Sequence, residues 1–67
     1  MKFEKLKEFD NMYVQVKCEK FKTYGTVKIN NNKFYLIEFD RLSDGDYVEF
    51  ETEYSPNEII DINKEVE

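Results

Sequence analysis

The sequence predicts an all-β protein, a five-stranded small barrel carrying a short N-terminal helix or arm. Three observations predict it. Short runs alternate apolar and polar residues with the period of a half-buried strand. Turn residues separate these runs at roughly ten-residue spacing, as in small sandwiches and barrels. Six Phe and five Tyr supply large side chains for a core. The core has to carry the fold, because a chain of 67 residues buries only about 60% of its unfolded surface. The single Cys cannot form an internal disulfide, and the lack of His removes the usual zinc sets. The whole chain, residues 1–67, reads as one domain.

The elements follow in order. In the first eleven residues Phe3, Leu6, Lys7 and Asp10 follow a helical spacing, and Lys, Glu and Leu favour helix. So short a helix is marginal alone, so Phe3, Leu6 and Phe9 should dock, the segment lying against one end of the barrel as a short helix or ordered arm. Met12, Val14, Val16 and Cys18 then alternate with Tyr13, Gln15 and Lys17, a strand with its apolar side inward. Cys18 reads as a small core residue. Phe21 stands among lysines, either plugging the barrel or exposed.

Tyr24 to Phe39 is the centre of the chain. Asn31 and Asn32 suit a two-residue hairpin turn. That turn sets Ile29 opposite Phe34 and Val27 opposite Leu36, and it sends Tyr24, Thr26, Lys28, Tyr35, Ile37 and Phe39 to the other face. A one-residue slip would exchange the faces. Asp44-Gly45 marks the next turn. Beyond it Val48, Phe50, Thr52 and Tyr54 should point inward and Tyr47, Glu49, Glu51 and Glu53 outward. Ser55-Pro56-Asn57 turns the chain into a last strand over Glu58 to Asn63. There Ile60 and Ile62 should face in, with Ile59 on a shoulder. Residues 64–67 read as a frayed, charged tail. Closure into a barrel would remove exposed strand edges.

The net charge of −5 is unevenly spread. The first sixteen residues are neutral. Lys17 to Lys33 carries five lysines against Glu19, and Phe34 to Glu67 carries eleven acids against Arg41 and Lys64. Such asymmetry concerns partners and solubility rather than fold. No apolar run approaches the ~20 residues that span a bilayer, and no signal peptide is present, so the sequence predicts a cytoplasmic, reduced protein without membrane contact.

Gly25-Thr26-Val27-Lys28, followed by asparagines, Lys33, an aromatic and Ile37-Glu38, resembles the first two strands of a bacterial cold-shock domain. Leu42 to Glu51 resembles the approach to that family's fourth strand, and Ile59 to Glu65 its closing strand. Phe34 matches the first aromatic of the family's ribonucleoprotein motif. Tyr35 stands in place of its glycine and Leu36 in place of its second aromatic. The family's third strand is missing, and Met12 to Cys18 would replace it from the other end of the chain. The resemblance therefore implies an OB-like or SH3-like barrel more strongly than it implies nucleic-acid binding.

The chemistry points to binding rather than catalysis. Without His, and with no base beside Cys18, the usual nucleophile and base pairs are missing. Asp40, Asp44 and Asp46 lack the ligand spacing of a calcium loop, and there is no glycine-rich phosphate loop, so no metal or cofactor is expected. Two partners remain. Single-stranded RNA or DNA would be held by Lys17, Lys20, Lys22, Tyr24, Lys28, Lys33, Phe34 and Tyr35, because rings stack bases and lysines attract phosphates. The competing reading of these rings is core and cross-strand packing. Alternatively, Asp44, Asp46, Glu49, Glu51 and Glu53 would present a negative surface to a basic protein, as a nucleic-acid mimic of phage or mobile-element type does. The competing reading of the acids is a solvated surface. Self-association of the basic segment with the acidic one is a third possibility.

Overall fold

The asparagine pair closes the central hairpin in the expected register. In the computed structural model, which describes residues 1–65, β2 (Lys22–Asn30) and β3 (Lys33–Arg41) run antiparallel, with Ile29 opposite Phe34 and Val27 opposite Leu36. Asn31 and Asn32 have φ of 52° and 59°. Left-handed backbone costs an ordinary residue roughly 1–2 kcal/mol, and asparagine tolerates it because its short polar side chain bonds locally. Two successive positive φ values give a turn whose twist matches that of the flanking strands. Val27, Phe34 and Leu36 are buried in the core.

The other strands extend this hairpin on both sides. With β1 (Tyr13–Cys18), β4 (Tyr47–Tyr54) and β5 (Ile59–Lys64), the sheet has the order β4-β3-β2-β1-β5, antiparallel throughout. Val14, Val16 and Cys18 bury as their alternation predicts. The last strand departs from expectation. Ile59 is 1% exposed and Ile60 55%, because Lys17 pairs with Asp61 while Cys18 pairs with Ile59. Ile60 is thus the extra residue of a bulge, which resets the alternation and turns Ile59 and Ile62 inward. Lys64 belongs to the strand, opposite Val14, and the Glu65 N–H donates to the Tyr13 carbonyl at 3.0 Å. Of the tail read as frayed, residues 66–67 lie outside the described residues.

The N-terminal segment forms one helical turn, α1 (Phe3–Leu6), followed by a 3₁₀ turn over Lys7–Phe9. Leu6 is fully buried, and Phe3, Phe9 and Met12 pack against the core around it. The segment is stitched to β2 as well. The Asn11 N–H donates to the Val27 carbonyl and the Val27 N–H to the Met12 carbonyl, both at 2.9 Å. Tertiary contact supplies what so short a helix lacks by itself.

Among the described residues the sheet stays open, with β4 and β5 as its two edges. Four residues, Ser55 to Glu58, join them, three of them in a 3₁₀ turn. Five extended peptide units reach at most about 18 Å, whereas four strand spacings of a flat sheet cover about 19 Å. The sheet must bend for so compact a link to connect its edges. The bend brings the Phe21 and Tyr54 rings to 6.4 Å between centroids. Away from that corner β3 and β4 run on together as an arm to Arg41 and Tyr47, while the β2–β3 ladder stops at Thr26 and Ile37. Consequently Val48 and Phe50, expected inside, are 43% and 41% exposed. Each points to the same side as buried Tyr54, but the core does not extend beneath them.

Candidate functional site

Alternation along the sheet gathers a set of rings on the face away from the core. Gln15 pairs with Tyr24, Lys17 with Lys22, Lys28 with Tyr35, and Phe39 with Glu49. Tyr24, Lys28, Tyr35 and Phe39 therefore share one face. Tyr24 is 49% exposed and Phe39 61%, while Tyr35 is half-buried. Lys17, Lys22 and Lys33 are exposed on the same face. The side chain of Gln15 holds one ring in place, its amide donating to the Tyr24 hydroxyl at 3.2 Å.

Two residues assigned to this surface lie elsewhere. Phe34 is 1% exposed, because the alternation that turns Tyr35 outward turns its neighbour into the core. Lys20 lies in the β1–β2 turn, off the sheet, next to Phe21, which is 51% exposed. Conversely, Tyr13 and Tyr47 join the outer face, exposed by 49% and 66%. Their outward alternation was legible in the sequence. Their nearness to Tyr24 and Phe39 was not, since it depends on strand order.

The face carries both signs of charge. Glu49, Glu51 and Glu53 are all exposed along β4 and form an acidic border. Lys28 Nζ donates to Glu51 Oε1 at 2.9 Å, and this hydrogen bond holds the Lys28 pKa above its usual value. Asp44 and Asp46 stand apart in the β3–β4 turn, where the Asp46 N–H donates to Asp44 Oδ1 at 3.0 Å and Gly45 takes φ of 93°. The five acids grouped in the sequence thus divide into a strand row and a turn.

Where the β2–β3 ladder ends, the strands part over a cleft lined by Tyr13, Lys22, Tyr24, Gly25, Glu38 and Phe39. Glu38 braces it from the core side. Its Oε1 accepts from the Thr23 hydroxyl and its Oε2 from the Tyr54 hydroxyl at 3.3 Å. Burial, reinforced by the Glu38 charge, pushes the Tyr54 phenol up to about 12. Burial likewise raises the Cys18 thiol, so it stays protonated in the core. Among the described residues no three His, Cys, Asp or Glu side chains converge to hold a metal, and no helix is long and apolar enough to cross a membrane.

Comparison with protein-family models, with curated proteins and with solved structures returns no match.

Proposed function

We propose that the chain is a non-enzymatic binding module whose outer sheet face takes single-stranded nucleic acid. The observation that supports this is the shared, open face of Tyr24 and Phe39, flanked by Tyr13, Tyr35 and Tyr47 and interleaved with Lys17, Lys22, Lys28 and Lys33. Bases stack on the rings, and phosphates follow the lysines. Stacking on an aromatic contributes about 1–3 kcal/mol per base and tolerates any sequence, because every base has a π-face. The cold-shock resemblance, which implies a small barrel more strongly than nucleic-acid binding, adds little to this reading. The position matching that family's first aromatic, Phe34, is in the core, so the stacking rings are Tyr24, Tyr35 and Phe39. A net charge of −5 weakens long-range attraction, so binding should be modest and should weaken as salt rises. Titration of labelled oligo-dT and poly-U at low and moderate salt tests the reading. Tyr24→Ala and Phe39→Ala should each weaken binding about tenfold with unchanged circular dichroism. Absence of binding at high micromolar protein and low salt would remove it.

A second reading, a basic protein partner docking on the acidic half, is favoured by one observation. Glu49, Glu51 and Glu53 are exposed together on a strand whose outer edge is open.

A further inference from the structure

We propose that the free edge of β4 accepts an added strand, an extended partner segment in which Lys or Arg alternates with apolar residues. The inference rests on the second reading and gives its partner a conformation and a pattern.

β4 has eight residues, YVEFETEY, and ends the sheet. Among the described residues nothing pairs with its outer side. Natural edge strands are blunted by Pro, charged side chains, bulges or shortness. Of these β4 has only the charges, Glu49, Glu51 and Glu53, which repel an acidic strand but not a basic one, and its register with β3 is unbroken from Tyr54 to Tyr47. The opposite edge differs: β5 has six residues and is bulged at Ile60.

Both faces of β4 are prepared for such a segment. Glu49, Glu51 and Glu53 line one face. On the other, Val48 and Phe50 occupy core-side positions that the core leaves 43% and 41% exposed. A strand laid along β4 alternates its own side chains between the same two faces. Positive residues at every second position would meet the glutamates, and apolar residues between them would cover Val48 and Phe50. A second copy of this chain fits less well. β4 against β4 would set glutamates opposite glutamates, which is destabilising, and β5 brings its bulge and Asp61. Nucleic acid is repelled by the same glutamates.

The test uses the full chain and two synthetic peptides of about eight residues, the length of β4. One alternates lysine and valine; the other has the same composition with the lysines in one block. The alternating peptide should bind about tenfold tighter, since only it can pair both faces at once. It should also slow amide hydrogen exchange within β4. Glu49→Lys with Glu53→Lys should abolish both effects without lowering the thermal midpoint. Glu53→Lys alone should weaken them. Equal binding of the two peptides without protection of β4 would overturn strand addition and leave acidic docking standing. Failure of both peptides to bind would overturn both. Self-association on sedimentation, relieved by the alternating peptide, would assign the edge to a second copy and overturn the proposal.

Discussion

Lys28 Nζ lies 2.9 Å from Glu51 Oε1, reaching diagonally over Tyr35 and Ile37 to join the aromatic face to its acidic border. Both side chains remain nearly half exposed, so the contact matters less for stability than for what it denies a ligand. A phosphate approaching Lys28 competes with a carboxylate already in place. Glu51→Gln should therefore strengthen oligonucleotide binding by about twofold or more and steepen its salt dependence by up to one phosphate equivalent, roughly 0.7 in the logarithmic slope. Lys28→Glu should do the reverse. Fluorescence anisotropy at several salt concentrations measures both. Indifference to Glu51→Gln would take Lys28 off the phosphate path.

Tyr54 makes stability depend on alkaline pH. Its phenol is raised from 10.0 to about 12, by burial first and then by the Glu38 charge. The folded chain thus holds this proton where the unfolded chain has lost it. The contribution is complete below the unfolded value and disappears as pH rises through the folded one. Two units correspond to about 2–3 kcal/mol at full effect. Urea unfolding from about pH 9 to 12 should show stability falling across that window. Tyr54→Phe should remove this part of the slope, and the difference between the two proteins isolates it from the other tyrosines.

Gly25 sits on the core face at the point where β2 and β3 begin to part. A Cβ placed there would lie 2.6 Å from the Ile37 carbonyl oxygen and 2.7 Å from Leu36 Cγ. The first of these is backbone and cannot rotate away. Gly25→Ala should cost about 1–3 kcal/mol, as overpacking does, read as a lower urea midpoint. Because relief would come from spreading β2 and β3, the variant should also change the spacing of Tyr24 and Phe39 and weaken oligonucleotide binding.

The Asn31–Asn32 turn offers a local test of register. Asn32, with φ of 59°, should tolerate glycine with little change in midpoint. Asn32→Val, whose branched side chain resists left-handed backbone, should destabilise by about 1–2 kcal/mol. Equal stability of the two variants in urea would show that the turn can reshape without cost.

The sequence by itself determined what short-range stereochemistry decides. Asn31 and Asn32 tolerate the positive φ that a two-residue turn needs, and once they take it, Val27, Phe34 and Leu36 lie on one face with Tyr24, Tyr35 and Phe39 on the other. The outward row of glutamates on β4 and the inward row of Val14, Val16 and Cys18 follow from the same period of two. Only the tertiary structure decided what covers each face. Val48 and Phe50 obey their alternation yet stay exposed, because the arm outruns the core. Ile59 and Ile60 exchange roles, because a bulge forms in pairing with β1. Strand order brought Tyr13 beside Tyr24 and left β4 at an open edge. Alternation is a property of one strand, whereas burial and edges are properties of which strands meet, and no single run of residues encodes that.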